Sequence, residues 1–148
     1  MVLSGKEHKV YSIGCFEVVN VVFPLLAGGF IYLYFYQNVV FARVIGGIIG
    51  DINIQQNVPL SISEKVIRNY FADAFWSYAL AMSVSYIYGY EIRYVRRVLL
   101  ISIGFSVICE LLQLFRVFEG TFDVLDIVTE IAAIIVAVLI IKRYKRRI

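Results

Sequence analysis

The sequence predicts an all-α integral membrane protein that folds as a bundle of four transmembrane helices. Hydrophobic residues make up 61% of its 148 residues, whereas about half of a soluble globular domain is apolar. The mean hydropathy is +0.81, and four apolar runs approach the roughly 20 residues that a helix needs to cross the hydrocarbon core. Four spans use most of the chain, so we expect one membrane domain over residues 1–148 and no separate soluble domain.

The four spans are expected at about residues 11–36, 70–90, 98–118 and 124–141. Segment 37–69, between the first two spans, is apolar in part but broken by glycines, so we expect it to be irregular and either interfacial or re-entrant. Near its end, Ser61 and Glu64 have the spacing of a capping box. This spacing predicts a helix that begins near Ile62 and enters the membrane near Tyr70.

Basic residues at the ends of the apolar runs predict the orientation. They collect in the N-terminal lead, in the turn at 93–97 and in the tail at 142–147. Four spans place these three segments on one side, and Lys and Arg favour the cytoplasmic side. We therefore expect both termini in the cytoplasm and the 119–123 turn outside. The formal charge of +3 is a topology signal of this kind, and no nucleic-acid partner is predicted.

Two cysteines, Cys15 and Cys109, lie within predicted spans. They lack the CxxC spacing of a metal or redox site, so neither a disulfide framework nor a zinc site is predicted. We expect both to be small buried apolar residues. A nucleophile paired with a histidine is not predicted either, because the single histidine, His8, lies outside the spans.

Polar residues fall on one side of each of the last two spans. The third span carries Ser102, Ser106, Glu110 and Gln113 within an arc of about 80°. The fourth span carries Asp123, Asp126 and Glu130 within about 60°. A short turn makes the two helices antiparallel neighbours. We therefore expect the two polar stripes to meet.

The second span adds an acid to this group. Asp73 is preceded by Asn69 and followed by Trp76 at helical spacing. At about 1.5 Å of rise per residue, Glu110 and Glu130 lie roughly 10–12 Å and Asp73 about 5 Å below the outer membrane surface. The sequence therefore predicts one outward-facing acidic pocket.

Such a pocket has more than one possible chemistry. Ionisable groups inside spans are costly and mark a site or a buried partner. Several close carboxylates must hold protons, pair with Arg116 or Arg68, or bind a divalent cation. An unevenly protonated carboxylate pair can also supply general acid and base chemistry. The alternative is that Glu110 and Gln113 only form hydrogen-bonded clamps between helices.

A motif in this region resembles the VanZ-like membrane proteins, a family named after a protein that raises resistance to the glycopeptide teicoplanin. The resemblance rests on Glu110-Leu-Leu-Gln113, then Gly120-Thr-Phe-Asp123, then Asp126, and covers about residues 102–137, with a weaker likeness over 69–80. The chain also departs from the family pattern. Glu119 stands near a position where many relatives carry Arg, Leu125 replaces an acid, Glu130 takes an Asn position and Ala133 replaces a Gly. The chain resembles a divergent member.

The resemblance implies a cell-envelope protein of the bacterial cytoplasmic membrane, linked to glycopeptide resistance, that acts on or binds a lipid-linked or surface-glycan component. One alternative is a small accessory or scaffold subunit of a membrane polysaccharide or transport complex, and another is a carboxylate- or metal-dependent membrane enzyme. The partners then expected are a larger membrane protein or further copies of the chain in a homo-oligomer. Whether the protein is an enzyme is left open at this point. For an enzyme, the catalytic candidates are Glu110, Asp123 and Asp126. The binding candidates are Asn69, Asp73, Trp76, Gln113, Thr121 and Glu130.

Overall fold

The computed structural model of the protein describes residues 14–35, 61–117 and 122–146. Every regular element in these ranges is helical, so the prediction of an all-α protein is confirmed for the described part of the chain. The predicted interfacial or re-entrant segment lies outside these residues up to position 60. Thr121 lies outside them as well.

The described chain forms four helices in succession. Helix α1 covers residues 15–35 as Cys15–Glu17, a π-helical turn Val18–Val22, and Phe23–Phe35. Helix α2 covers residues 62–87 as Ile62–Val66, a π-helical turn Ile67–Phe71, and Ala72–Ile87. Helix α3 covers residues 92–114 as a 3₁₀ turn Ile92–Tyr94 and Val95–Leu114. Helix α4 is Val124–Lys145.

The start of α2 follows from its capping box, as predicted. The Ser61 N–H donates to Glu64 Oε2 at 2.7 Å, and the Glu64 N–H donates to Ser61 Oγ at 3.3 Å. The hydrogen bonds from the Ser61 hydroxyl and backbone hold the pKa of Glu64 below its ordinary value. The helix therefore begins at Ile62, and its first turns precede the predicted span.

The end of α3 differs from the predicted one. We expected the third span to reach residue 118, but the α-helix ends at Leu114. Arg116 adopts a left-handed conformation with φ 56°, and its N–H donates to the Gln113 carbonyl at 2.9 Å. The Val117 N–H donates to the Leu112 carbonyl, also at 2.9 Å. These two bonds form a Schellman motif, which satisfies the last carbonyls and stops the helix.

Three segments of the described chain are long and apolar enough to cross a membrane: Cys15–Tyr34, Ile92–Leu114 and Val124–Lys145. These three segments confirm the prediction of an all-α membrane protein. The predicted span at residues 70–90, which lies in α2, is not among them. Burial explains its weaker apolar character. The buried residues of its second half include two serines and three alanines, namely Ala72, Ser77, Ala79, Ala81 and Ser85. These side chains face protein and not the surroundings of the bundle.

Helix α2 occupies the centre of the bundle. It packs against α1, α3 and α4, and α3 also packs against α4. The core lies between α2 and α4, where Met82, Ile134 and Ile141 are almost completely buried. Small residues such as Ala81 and Ala137 complete this contact, as is common where membrane helices approach closely.

Aromatic contacts bring three parts of the chain to one end of the bundle. The Phe16 ring stacks on Tyr144 with centroids 3.8 Å apart and meets the edge of Tyr90 at 5.4 Å. The start of α1, the turn after α2 and the end of α4 therefore lie together. We call this the basic end, because the Lys and Arg residues of the turn and of the end of α4 cluster there. The opposite end, where α3 stops and α4 begins, is called the acidic end.

Helix α1 presents a polar side chain to α2. Asn20 Nδ2 donates to the Phe16 carbonyl at 2.9 Å, and Tyr78 of α2 donates its hydroxyl to Asn20 Oδ1 at 2.6 Å. Pro24 lacks an N–H and its ring crowds the preceding turn of a regular helix. The π-helical turn Val18–Val22 lies immediately before this region and is one way a helix adapts to such crowding.

Gly28 sets the distance between α1 and α2. A Cβ atom at this position would lie 2.6 Å from two atoms of the Trp76 indole ring and 3.0 Å from the Ala72 carbonyl oxygen. The neighbouring Gly29 has no such restriction, since nothing lies within 4 Å of its added Cβ. Gly28 therefore permits a close approach that any larger residue would prevent.

We predict that Gly28→Ala destabilises the protein and Gly29→Ala does not. Overpacking at Gly28 should lower the free energy of unfolding by about 1–3 kcal/mol, while Ala at Gly29 should raise it by about 0.5–1 kcal/mol through helix propensity. Thermal unfolding in detergent measures both changes. The emission of Trp76, the single tryptophan, should shift only in Gly28→Ala. Equal stability and equal emission of the two variants would contradict the predicted contact.

Candidate functional site

A cavity of about 350 Å³ lies on the side of α2 towards the acidic end. Helices α2, α3 and α4 all contribute to its lining. From α2 come Asp73, Trp76, Ser77 and Leu80; from α3 come Phe105, Ser106, Cys109, Glu110 and Gln113; from α4 comes Glu130. The cavity therefore brings together five of the sequence-predicted site residues, Asp73, Trp76, Glu110, Gln113 and Glu130.

Helical spacing explains why these residues share one cavity. The α2 and α3 residues recur at intervals of three or four, so each set follows one side of its helix. Glu110 lies about one turn before the end of α3, about 6 Å by helical rise. Glu130 lies about 9 Å from the start of α4. Because α3 ends earlier than expected, Glu110 is closer to the helix end than the 10–12 Å that the sequence predicted.

The π-helical turn Ile67–Phe71 adjusts the direction of the α2 residues that follow it. A π-helical turn contains more residues than an α-helical one and so rotates the remainder of the helix. Asp73 comes directly after this turn. The regular four-residue spacing that the sequence suggested between Asn69 and Asp73 is therefore interrupted. Asn69 lies within the turn, and its side chain is outside the described part of the structure.

Two carboxylates of the cavity are deeply buried and incompletely satisfied. The exposed fraction is 4% for Glu110 and 8% for Glu130, and one oxygen of each, Oε2, is buried with no hydrogen-bond partner. A buried acceptor without a partner costs about 1–3 kcal/mol, and more when it is charged. Each of these oxygens is an unpartnered acceptor on a residue that lines the cavity.

Neighbouring hydrogen-bond donors satisfy the carboxylates of Glu110 and Glu130 only in part. The Asp123 N–H faces the Glu110 carboxylate, which connects the start of α4 to α3. The hydroxyls of Ser77 and Ser106 lie 3.3 Å apart and are hydrogen-bonding neighbours of Glu130. These donors leave the two Oε2 atoms unpartnered. Glu110 is thus connected to α4 through one side of its carboxylate and open on the other.

No cation of the protein compensates the acids within the described residues. The lining contains no Lys or Arg. The sequence suggested Arg116 as a partner, but Arg116 is exposed and forms no ion pair with a described acid. The ion pair that the described chain does form, Arg93 with Glu91 at 2.7 Å, lies at the basic end. The side chain of Arg68, the other suggested partner, is outside the described part.

The described residues contain no group of three or more His, Cys, Asp or Glu side chains arranged to hold a metal ion. Asp73, Glu110 and Glu130 share the cavity lining, but they do not converge on one point in the way that a preformed cation site requires. A divalent cation in this pocket stays a prediction of the sequence.

The remaining catalytic candidates, Asp123 and Asp126, lie beside the cavity and do not line it. Asp123 caps α4, since its Oδ1 accepts the Leu125 N–H at 2.9 Å. Asp126 interacts electrostatically with Asp73 and Glu110, and its Oδ1 is buried without a partner. The structure thus gives Asp123 a clear structural role and leaves Asp126 as an acid adjacent to the cavity.

Sequence reasoning did not identify all of the lining. The prediction that both cysteines are buried apolar residues is wrong. Cys15 is exposed, and Cys109 is partly exposed and lines the cavity. The sequence did contain a signal that Cys109 lines the cavity, because this residue precedes Glu110 and is four residues from Phe105 and Gln113. Leu80 and Phe105 were also missed, since apolar residues in a span carry no distinguishing pattern.

Glu17 lies apart from this site. It is at the basic end, where its Oε2 accepts the Gly14 N–H at 2.9 Å. Together with Val21, Val22, Ser83, Tyr86 and Ile87 it lines a second, mostly apolar cavity of about 280 Å³ between α1 and α2.

Comparison of the chain with protein-family models, with curated proteins and with solved structures finds no match. The geometry of the cavity and the motif residues of α3 and α4 therefore carry the functional argument.

Proposed function

We propose that this protein is a VanZ-like cell-envelope protein that binds an envelope component in an acidic cavity inside the membrane. The observation that carries the proposal is that Glu110 and Glu130 line one cavity and that each has a buried carboxylate oxygen without a partner. A ligand with hydrogen-bond donors would satisfy them. The motif around Glu110, Gln113, Asp123 and Asp126 supports a VanZ-like identity.

Binding accounts for the cavity better than helix clamping alone. In a clamp, a buried polar group forms its hydrogen bonds with a neighbouring helix. Glu110 does this with the Asp123 N–H, but the Oε2 atoms of Glu110 and Glu130 remain unpartnered. Hydroxyl or amine groups of a lipid-linked or surface-glycan component are suitable donors for them. Such a ligand fits the lining, which combines carboxylates, an amide, hydroxyls and an indole ring.

A second candidate, a carboxylate-dependent membrane enzyme, is favoured by one observation. Asp126 lies within electrostatic reach of both Asp73 and Glu110. Neighbouring carboxylates of this kind share protons, so that one can act as an acid while another acts as a base. In that mechanism Glu110 and Asp126 would exchange protons with a ligand held in the cavity.

The proposal includes four spans, with α2 as the fourth. Helix α2 has 26 residues by its bounds, 62 to 87, about 39 Å by helical rise, which exceeds a hydrocarbon core of about 30 Å. The start of α1 lies at the basic end together with the ends of α2 and α4. This arrangement supports an even number of membrane crossings between the start of α1 and the end of α4. The concentration of Lys and Arg at the basic end supports a cytoplasmic location for both termini. The cavity then opens in the outer half of the bacterial cytoplasmic membrane.

The orientation predicts which positions a reagent outside the cell can reach. In a Cys15→Ser, Cys109→Ser background, Gln56→Cys should react with an impermeant thiol reagent added to intact cells. Arg146→Cys should react only after the cells are opened. The reverse pattern would contradict the orientation and place the acidic end in the cytoplasm.

The binding proposal predicts that Glu110→Gln abolishes function without preventing folding. The amide keeps the shape of the side chain and removes its charge, so the variant should insert normally and lose ligand binding. The measurement is complementation of a deletion strain, scored by its sensitivity to teicoplanin and other envelope-directed agents, with membrane abundance measured in parallel.

Glu91→Gln is the matched control, because Glu91 lies at the basic end in an exposed ion pair. It should complement fully. If Glu110→Gln also complements fully at normal abundance, the binding proposal is wrong and a scaffold role accounts better for the acids.

A further inference from the structure

We infer that the acidic cavity is entered sideways from the bilayer, and that its ligand is an amphiphile with a cationic headgroup. The inference rests on the proposed function and adds to it the route of entry and the chemical class of the ligand.

The helix arrangement leaves one side of the cavity without a wall. Helix α1 packs along α2, and α3 packs along α2 and α4, but α1 and α3 do not pack along each other in the described chain. The cavity lies on α2 between them. Trp76, which contacts α1 at Tyr32 with ring centroids 5.4 Å apart, forms its border on the α1 side. None of the described α1 side chains lines it.

This open side faces the lipid. Phe105 lines the cavity, yet 57% of its surface is exposed. It lies about 14 Å from the end of α3 by helical rise, which is near the middle of a hydrocarbon core of about 30 Å. At that depth an exposed surface contacts acyl chains and not water. The cavity and the lipid-facing surface of α3 are therefore continuous at Phe105.

The polarity of the lining changes with depth. Along α3 the lining passes from Gln113 and Glu110 near the helix end to Phe105, about 12 Å deeper by helical rise. Along α2 it passes from Asp73 to Leu80 in the same direction. The apolar side chains of Phe105 and Leu80 thus border only the part of the cavity near the bilayer centre, where Ser106 and its neighbour Glu130 add polar groups. This order matches the head and the chain of an amphiphile in its normal orientation in the membrane.

The charge of the lining determines which kind of headgroup the cavity can bind. Three carboxylates, on Asp73, Glu110 and Glu130, line the cavity, and no described Lys or Arg does. Glu110 and Glu130 each carry a buried oxygen without a hydrogen-bond partner. The Trp76 indole adds a ring of the kind that binds ammonium groups by cation–π attraction. A protonated amine satisfies all of these groups, whereas a phosphate or sulfate would be repelled.

The intrinsic fluorescence of Trp76 reports occupancy directly, because it is the single tryptophan of the chain and it lines the cavity. The protein is placed in phosphatidylcholine nanodiscs and titrated with four probes: dodecylammonium, methylammonium, dodecyl maltoside and dodecyl sulfate. We expect a saturable change in emission with dodecylammonium. The other probes should give only weak or linear changes.

Carboxylate variants test whether the saturable signal comes from the cavity. Glu110→Gln and Glu130→Gln should each raise the half-saturating concentration of dodecylammonium about tenfold or more, since each removes a charge-assisted hydrogen bond. Glu91→Gln, at the basic end, should leave it unchanged. Binding that is the same in all three variants would overturn the inference, and retained near-ultraviolet circular dichroism shows that each variant is folded.

The probes separate the inference from the proposed function. Saturation by methylammonium at the same concentration as dodecylammonium would overturn lateral entry and leave an acidic binding cavity. Tighter saturation by dodecyl maltoside would overturn the cationic headgroup. A lack of saturable binding by every probe would contradict both the inference and the proposed binding function.

Discussion

Two carboxylates from neighbouring helices share one buried space, and no Lys or Arg of the described residues lies in its lining to balance them. Glu110 and Glu130 both line the cavity, and each keeps a buried oxygen without a partner. Such an arrangement is costly in a medium of low dielectric constant. It persists because the surrounding helices are fixed by contacts elsewhere. The stabilising contacts and the acidic site are therefore separate parts of one bundle, and the second depends on the first.

Helix α2 is the element that makes this separation possible. Small residues on its buried side allow close packing against α4, and Gly28 of α1 allows close packing against Trp76. These contacts hold Trp76 and Asp73 in position beside α3. The same central position explains why α2 is less apolar than the other three helices. A helix with protein on several sides can carry polar residues over more of its surface than a helix with a large lipid-facing side.

Local signals predicted much of this structure. The capping box of Ser61 and Glu64 depends on four consecutive residues, so the start of α2 was predictable, and helical periodicity across a short turn was enough to bring Glu110 near Glu130. Features that depend on backbone irregularity or tertiary packing could not be predicted from local sequence signals. The left-handed Arg116 shortened α3, and the π-helical turn before Asp73 interrupted the assumed spacing. The place of Cys109 in the cavity became visible only once α2 and α3 were packed together.

The reaction rate of Cys109 tests most directly whether the cavity is acidic and accessible. In a Cys15→Ser background, the Cys109 thiolate attacks a cationic or an anionic methanethiosulfonate of similar size and displaces methanesulfinate. The ratio of the two rates, divided by the same ratio for a free thiol in solution, reports the local charge. This normalised ratio should favour the cationic reagent about tenfold or more, because acid-lined clefts concentrate cations. Glu110→Gln should reduce the ratio. Cys15, tested in a Cys109→Ser background, should not show this preference for the cationic reagent. A normalised ratio at Cys109 that favours neither reagent, or no reaction with either reagent, would contradict the account.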